Sequence, residues 1–242
     1  MRPETSIVIT GAARGQGAAH AAELARPGVR IIMTDVLDDD GERAAAVLRA
    51  AGGDVVYRHL DVSDPAGWAA LADELRHGDA PVSGLVNNAG ILRHASIADT
   101  PLSVLELHER VNVHGPFLGM QALGPLMAGA GRGSIVNVAS TAALVGSAGY
   151  LAYSASKAAV IGMTRVAAVE FAPVVRVNAI CPGGVATPMN DDEPEGGSST
   201  GTPLGRRASV EEISPLIAFL LSERSSFVTG SILTIDGGLT AV

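Results

Sequence analysis

The sequence has a single cysteine, few aromatic side chains and no long hydrophobic run. Cys181 cannot form an internal disulfide, which favours a reducing, intracellular setting. Arg, Glu, Gly or Pro interrupts every apolar stretch, so none reaches the length of a membrane-spanning helix. The first residues, MRPETSIVITG, lack the apolar region of a signal peptide. We therefore expect a cytoplasmic protein.

Positive charge is also scarce, since 17 Lys and Arg residues stand against 25 Asp and Glu, a formal net charge of −8. This balance argues against nucleic acid or an anionic membrane as the main partner. The six histidines contain only one loose pair, His108 and His114, so we predict no metal site. Hydrophobic residues make up 47% of the chain, which is enough to bury a sizeable core.

Short β-type runs alternate with longer Ala- and Leu-rich segments, from SIVIT at 6–10 to SILTIDGG at 231–238. This alternation is typical of βαβ units, which build a parallel sheet covered on both faces. We predict an α/β fold of the Rossmann type, a doubly wound sheet of about seven parallel strands with helices on both faces. One domain should span residues 1–242. The polar segment at about 190–203 is predicted to be a mobile substrate loop.

The first predicted strand ends in TGAARGQG, with glycines at positions 11, 15 and 17. A strand, a glycine turn and a helix start form an anion site, because backbone N–H groups face the phosphate and missing side chains let it approach. The second predicted strand ends at Asp35, where an acid in a dinucleotide fold accepts hydrogen bonds from the adenosine ribose. A merely structural glycine turn and an ordinary strand-end Asp35 are the alternative interpretations.

Several further motifs follow along the chain. They are LDV (60–62), NNAG (87–90), Asn112 in RVNVHG, Ser140, the Y-x-x-x-K pair Tyr153 and Lys157, and PGGVATP (182–188). With these motifs in this order, nearly the whole sequence resembles the short-chain dehydrogenase/reductase family in its single-domain form. Through GARGQG, TDVLDDDG and LVNNAGI it is most similar to NAD-dependent hydroxysteroid and secondary-alcohol dehydrogenases. The resemblance implies NAD(H)-dependent interconversion of a secondary alcohol, such as a hydroxysteroid or a cyclic or aromatic alcohol, and its ketone.

The resemblance also implies which residues form the site. The catalytic set is Asn112, Ser140, Tyr153 and Lys157. The cofactor-binding set is Gly11, Arg14, Gly15, Gln16, Gly17, Asp35, Asp61, Val62, Asn88, Ala89, Gly90, Tyr153, Lys157, Pro182, Gly183, Val185 and Thr187. By the same resemblance, LDV contacts the adenine, PGGVATP flanks the nicotinamide, and Asn112 supports a water chain from Lys157 to solvent.

The chemistry requires Tyr153 and Lys157 together. Residues four apart share a helix face, whereas Tyr150 is one position off that pairing and is interpreted as pocket wall or packing. A nearby ammonium favours the phenolate of a tyrosine, which could then remove the alcohol proton while hydride leaves for the nicotinamide. Lys157 could also hold the nicotinamide ribose, and Ser140 would orient the substrate oxygen. A strand-end cap at Ser140 and a surface-directed Lys157 are the alternatives.

The cofactor is predicted to be NAD rather than NADP. The carboxylate of Asp35 can accept hydrogen bonds from the ribose hydroxyls of NAD, but it would repel a 2′-phosphate. Arg14, just before Gly15, acts in the opposite direction, since a basic residue there often meets the 2′-phosphate in NADP-using relatives. We expect the carboxylate to decide the preference.

The helix predicted at 155–171 is apolar round most of its circumference, which a single sheet face cannot cover. By resemblance we expect a homotetramer in which this helix and the Asn112 helix pair with their copies. Two other functions remain open. A 3-oxoacyl-carrier-protein reductase shares every motif, but its docking patch would rest on Arg206 and Arg207 alone. A nucleotide-binding regulator without turnover is the other, and the intact Ser140, Tyr153 and Lys157 set argues against it.

Overall fold

The computed structural model describes residues 3–190 and 201–242, and a sheet of seven parallel strands runs through them. The strands are β1 (Thr5–Thr10), β2 (Val29–Asp35), β3 (Asp54–His59), β4 (Val82–Asn87), β5 (Gly133–Val138), β6 (Val175–Pro182) and β7 (Ile232–Ile235). Their order is β3-β2-β1-β4-β5-β6-β7, and each pair of neighbours is parallel. The predicted Rossmann-type sheet is confirmed.

Helices connect the strands. In the described residues they are α1 (Gly15–Leu24), α2 (Asp38–Ala50), α3 (Pro65–Arg76), α4 (Leu102–His108), α5 (Gly115–Gly129), α6 (Leu151–Glu170) and α7 (Val210–Leu221). A π-helical turn, Glu109–His114, joins α4 to α5, so the predicted helix around Asn112 is π-helical at that residue. Helix α6 starts at Leu151, four residues before the predicted start.

Most side chains of the five inner strands are buried on both faces of the sheet, because helices cover each side. Successive residues of a strand point to opposite faces. On one face Ile9 of β1 lies in a core cluster with Ile217 of α7. On the other face Val8 lies in a cluster with Trp68 of α3 and Leu123 of α5. No helix among the described residues is long and apolar enough to cross a bilayer.

The strand order reverses between β1 and β4, and folds of this type bind ligands outside the carboxyl ends of the strands at such a point. The glycine turn after β1, Asn88 after β4, Ser140 after β5 and Gly183 after β6 all follow carboxyl ends of the sheet. Of the predicted mobile loop at 190–203, residues 191–200 lie outside the described residues.

His20 of α1 is fully buried against α7, where its Nδ1 lies 2.8 Å from Oγ of Ser214. Burial lowers the pKa of His20 from 6.5 to about 4. Between these values the unfolded chain binds a proton that the folded protein does not, so stability is lost as pH falls from 6.5 towards 4. The full shift corresponds to roughly 3 kcal/mol.

We expect His20→Gln to lose less stability between pH 7 and pH 4.5 than the wild type does, by roughly 2–3 kcal/mol. Chemical denaturation at the two pH values measures this difference. His77→Gln removes an exposed histidine at the end of α3 and should leave the wild-type loss unchanged. Equal losses in wild type and His20→Gln would contradict the assignment.

Candidate active site

Tyr153 and Lys157 occupy the first two turns of α6, and Nζ of Lys157 lies 5.7 Å from the centre of the Tyr153 ring. The Lys157 side chain is only 3% exposed, which excludes a surface-directed lysine. Its Nζ donates a hydrogen bond to the carbonyl of Val138 at 2.8 Å. Burial lowers the pKa of Lys157 to about 8. The chain thus buries its only lysine beside a tyrosine.

Ser140 follows β5 and is buried. Its Oγ accepts a hydrogen bond from the backbone N–H of Ala142 at 3.1 Å and caps the short 3-10 turn Thr141–Ala143. The cap interpretation therefore describes one contact of this hydroxyl, alongside its place at the carboxyl edge of the sheet. Cys181 lies beside it with a buried thiol whose pKa is raised by burial to about 11, so the thiol stays neutral and packs.

Asn112 lies in the π-helical turn and is fully buried. Its Oδ1 accepts from the N–H of Ile91 at 2.8 Å, and its Nδ2 donates to the Ile91 carbonyl and to Ser156 Oγ, both at 3.0 Å. Ser156 Oγ in turn donates to the Tyr153 carbonyl at 2.7 Å. Asn112 thus links the turn after β4 to α6. Single π-helical turns are frequent at functional sites.

Tyr150 stands beside the Tyr153–Lys157 pair rather than within it. Its ring centre is 6.3 Å from that of Tyr153 and 4.5 Å from that of His94, in an edge-to-face arrangement. The segment that contains His94 is joined to the segment before Tyr150 by a backbone hydrogen bond, since the N–H of Ala95 donates to the carbonyl of Gly149 at 3.0 Å. Tyr150 thus lies next to the pair, and its role as pocket wall or packing stays a prediction.

The glycine turn after β1 requires glycine at the predicted positions. Gly11 and Gly15 have positive φ values, +63° and +57°, which other residues adopt with strain. A Cβ on Gly17 would lie 2.1 Å from the carbonyl oxygen of Gly11, so the turn and the helix could not keep this approach. A Cβ on Gly15 would point towards the methyl group of Thr187 at 3.6 Å, which places Thr187 across the turn.

The start of α1 provides donors for an anion. Arg14 precedes the helix, and its side chain accepts no hydrogen bond from the first turn. The first N–H groups of α1 therefore have no acceptor from the capping side chain. A phosphate at this point would satisfy them. Oε1 of Gln16, in the first turn, is buried without a hydrogen-bond partner among the described residues. The backbone donors of the turn therefore fit the pyrophosphate of a dinucleotide, whereas the Gln16 oxygen is an acceptor and would need an O–H or N–H donor.

The Asp35 carboxylate faces the glycine turn. Its Oδ2 accepts from the N–H of Ala13 at 3.0 Å, and its Oδ1 accepts from the N–H groups of Val36 at 2.8 Å and Leu37 at 3.1 Å. A carboxylate has about four acceptor positions, so these contacts leave about one for a ribose hydroxyl. This is fewer than the two hydroxyl contacts that the sequence suggested. Arg14 is exposed to solvent.

Thr10 was missed in the sequence analysis, although its place as the last residue of β1 was a signal. Its Oγ1 accepts from the backbone N–H groups of Asn88 and Ala89, both at 3.0 Å. Asn88 Nδ2 returns hydrogen bonds to the carbonyls of Thr10 at 2.9 Å and Gly11 at 3.0 Å. A Cβ on Gly90 would lie 3.3 Å from Nζ of Lys157. The NNAG turn thus joins the glycine turn to the lysine.

Two further predicted cofactor residues, Asp61 and Val62, are held by hydrogen bonds that involve side chains. Val62 is buried, and its carbonyl accepts from Nε1 of Trp68 at 3.0 Å. Asp61, one residue earlier, accepts through Oδ1 from both N and Oγ of Ser63 at 2.8 Å. These contacts fix LDV after β3, at the same edge of the sheet.

Pro182 ends β6, and the residues after it are packed closely. A Cβ on Gly183 would lie 2.9 Å from Cα of Asp236, so only glycine fits there. Val185 forms a parallel bridge with Ala208. The predicted nicotinamide segment therefore packs against Asp236, which follows β7, and pairs with Ala208, which precedes α7. Over residues 3–190 and 201–242, no cluster of three possible metal ligands occurs.

Comparison with known proteins gives matches over almost the full length. Residues 11–240 match the family model described as enoyl-(acyl carrier protein) reductase. A trans-4-hydroxycyclohexanecarboxylate dehydrogenase of Sinomonas cyclohexanicum is 42% identical, covering 98% of this chain and 93% of the relative. A 3-alpha-(or 20-beta)-hydroxysteroid dehydrogenase of Mycobacterium bovis is 41% identical, covering 97% and 88%. The structure of a gluconate 5-dehydrogenase from Burkholderia cenocepacia, in complex with NADP and tartrate, aligns with TM-score 0.92 and 30% identity over 100% and 97%.

Proposed function

We propose a substrate class and a cofactor for this chain, which belongs to the short-chain dehydrogenase/reductase family and is an alcohol/ketone oxidoreductase. It interconverts a secondary alcohol on an apolar ring and the matching ketone, with NAD(H) as the cofactor. The observation that carries the chemistry is the buried Lys157 ammonium, 5.7 Å from the Tyr153 ring centre. A charge is held out of water only where a partner or a function uses it.

Each residue of the site has a distinct part in the proposed reaction. A bound nicotinamide would accept or supply the hydride. Tyr153 would take the proton of the alcohol hydroxyl at its phenolic oxygen and return it in the reverse direction. Lys157 would favour the phenolate and donate to the nicotinamide ribose. Ser140 would orient the substrate oxygen by a hydrogen bond.

Asn112 would act by position, because its side chain already holds both backbone groups of Ile91 and also Ser156. The cofactor would lie along the carboxyl edge of the sheet, with its pyrophosphate at the start of α1 and its nicotinamide between Gly90 and Thr187. These two residues belong to the turns after β4 and β6 respectively.

The substrate class is inferred from apolar side chains in the segments that follow Ser140 and Thr187. Leu144 and Val145 follow Ser140 with 43% and 41% of their surfaces exposed, and Met189 follows the nicotinamide segment at 42%. Together with Tyr150 they offer apolar surface to a ring, which a polyol would not use. The names of the cyclohexanecarboxylate and hydroxysteroid relatives agree with a ring alcohol.

The carrier-protein alternative is weakened by an ion pair. Arg206, one of the two basic residues considered for docking, is bound to the carboxylate of Glu212 at 2.6 and 2.8 Å. A guanidinium that already binds a carboxylate is less available to bind an acidic carrier protein. We therefore rank the ring alcohol above a 3-oxoacyl thioester.

A turnover screen tests the function. Cyclohexanol, cyclopentanol, trans-4-hydroxycyclohexanecarboxylate, a hydroxysteroid and gluconate are offered with NAD⁺, a 3-oxoacyl thioester is offered with NADH, and absorbance at 340 nm is followed. We expect kcat/KM for the best ring alcohol to exceed that for gluconate by at least about tenfold, roughly 1.4 kcal/mol. Preference for gluconate or the thioester would overturn the substrate class. Cofactor binding without turnover on the whole panel would favour the regulator.

The proposed cofactor is NAD(H), and we expect kcat/KM for NAD to exceed that for NADP by at least about tenfold. The Asp35 carboxylate lies beside the glycine turn, where a 2′-phosphate would meet a like charge. Contact between like charges costs on the order of 1 kcal/mol in water and more in a cleft. Arg14 is exposed and can turn to solvent. The gluconate 5-dehydrogenase with NADP makes this preference worth testing directly.

The measurement is kcat/KM for both cofactors in wild type, Asp35→Ser and Asp39→Ser. Asp35→Ser should reduce the ratio of kcat/KM for NAD to kcat/KM for NADP, because it removes the charge that faces the ribose. Asp39→Ser removes an exposed charge of the same acidic run and should leave the ratio nearly unchanged. A wild-type preference for NADP would show that Arg14 outweighs Asp35.

The proposed assembly is a homotetramer. Val166 and Val169 on the outer face of α6 are 58% and 79% exposed, and Phe117 of α5 is half exposed. Exposed apolar side chains on these two helices support an interface between chains. Light scattering at micromolar concentration should give four times the 24.5 kDa chain mass. A monomer mass would contradict the proposal.

A further inference from the structure

His108 is a fully buried histidine at the end of α4 that has no part in the reaction described above. Its Nδ1 lies 2.8 Å from the carbonyl of Val104, which can only accept, so Nδ1 carries the proton. Its Nε2 lies 3.2 Å from the backbone N–H of Arg93, which can only donate, so Nε2 presents a lone pair. The two contacts select one neutral tautomer of the imidazole.

His108 and Asn112 are four residues apart and hold the same stretch of chain, the segment 91–95 that follows NNAG. Asn112 binds both backbone groups of Ile91, and His108 binds the N–H of Arg93 two residues further on. Side chains at this spacing lie on one face of a helix. The segment is therefore fixed at two points against the helix that carries both residues.

The other end of the segment reaches the wall of the pocket. The N–H of Ala95 donates to the carbonyl of Gly149 at 3.0 Å, and the ring of His94 meets the ring of Tyr150 edge to face at 4.5 Å. Any shift of the segment at Arg93 would be passed to Tyr150 through these two contacts.

We propose that His108 is a positioning residue: its neutral imidazole holds the segment 91–95 so that Tyr150 forms one wall for the substrate ring next to Tyr153. The His108 ring itself lies against Tyr153, with centres 6.4 Å apart and planes at 79°. The effect on catalysis rests on the proposed function, whereas the tautomer and the hold on the segment do not.

Two substitutions separate the acceptor from the ring. His108→Phe keeps a ring and removes the acceptor for Arg93, whereas His108→Gln loses the ring and keeps an acceptor near the end of the side chain. His108→Phe should raise KM for the best ring alcohol about tenfold and leave the Kd for NAD within about twofold, because the cofactor turn is held by other residues. His108→Gln should bring this KM back to within about threefold of wild type.

His77→Phe is the matched control. The ring of His77 also bonds the carbonyl four residues back in its own helix, from Nδ1 to Asp73 at 2.9 Å, but it is exposed at the end of α3. This variant should keep the wild-type KM. If His108→Phe kept the wild-type KM, or if its Kd for NAD rose as much as the alcohol KM, the proposal would be overturned.

Two measurements stand apart from turnover. Nitrogen-15 shifts of the wild-type imidazole should report the Nδ1–H tautomer, and an Nε2–H tautomer or an imidazolium at neutral pH would overturn the proposal even if His108→Phe does not fold. Hydrogen exchange in the segment 91–95 should be at least tenfold faster in His108→Phe than in His77→Phe, and equal rates would also overturn it. Absence of alcohol turnover in wild type would reject the proposed function and leave these two results to decide the role of His108.

Discussion

Tyr153→Phe is expected to lower kcat by roughly 10³-fold and to leave the Kd for NAD(H) within about twofold. The substitution removes only the hydroxyl oxygen, which is the proposed proton acceptor, and general acid–base groups contribute typically 10²–10⁴-fold to rate. The ring remains to pack against His108 and Tyr150. Steady-state kinetics with the best ring alcohol, together with fluorescence titration of NADH, measures the two quantities separately.

Tyr150→Phe is the matched control, since the same atom is removed from the neighbouring tyrosine. We expect this variant to keep kcat within about threefold, because it is Tyr153, not Tyr150, that shares a helix face with Lys157. Wild-type kcat in Tyr153→Phe would refute the assignment of the base. An equal loss in both variants would mean that the two hydroxyls act as one unit.

Most of the sheet and the Tyr153–Lys157 pair could be predicted because each depends on local spacing. Alternation of strand and helix patterns fixes a parallel sheet, and the carboxyl ends of its strands then gather at one edge. A spacing of four residues places Tyr153 and Lys157 on one helix face. These rules need no knowledge of which distant residues meet.

Contacts between distant residues were the part that sequence patterns could not supply. The two hydrogen bonds of Asn112 to Ile91 depend on a π-helical turn, for which the sequence shows no signal. The hydrogen bond that Oδ2 of Asp35 accepts from the N–H of Ala13 depends on how the turn after β1 meets the end of β2. In the sequence Arg206 is indistinguishable from a free basic residue, but in the structure it pairs with Glu212 in the first turn of α7. The contacts of Asn112 with Ile91 and of Asp35 with Ala13 follow from tertiary packing, whereas the Arg206–Glu212 pair follows from the chain conformation at the start of α7.

Lys157 should titrate near pH 8, well below the value of roughly 10.4 for a free lysine. Burial disfavours the charged form of Lys157. The hydrogen bond from Nζ to the Val138 carbonyl stabilises the ammonium only in part. Because the chain has a single lysine, protein labelled with ε-¹³C lysine gives one lysine signal, whose shift against pH reports this group alone. A midpoint above about 10 would contradict the burial of the charge.

Lys157→Met is expected to lower kcat/KM by at least about 10³-fold near pH 7, through loss of the charge that favours the Tyr153 phenolate and of the donor to the ribose. Part of kcat should return as pH rises towards 10, where an ordinary tyrosine ionises without help. Arg165→Met removes an exposed charge from the same helix and should keep the wild-type pH profile.

Stability distinguishes this loss of activity from simple unfolding. A lysine whose pKa is about 8 when folded and 10.4 when unfolded reduces stability by roughly 3 kcal/mol below pH 8, and this penalty fades as pH rises from 8 to 10.4. Lys157→Met removes the penalty and also leaves the Val138 carbonyl without its donor, which costs about 1–3 kcal/mol. The free energy of unfolding at pH 7 should therefore equal or exceed that of wild type. An inactive variant that is also several kcal/mol less stable would indicate that Lys157 is structural, whereas an inactive and equally stable one shows that the fold carries a buried charge for the reaction.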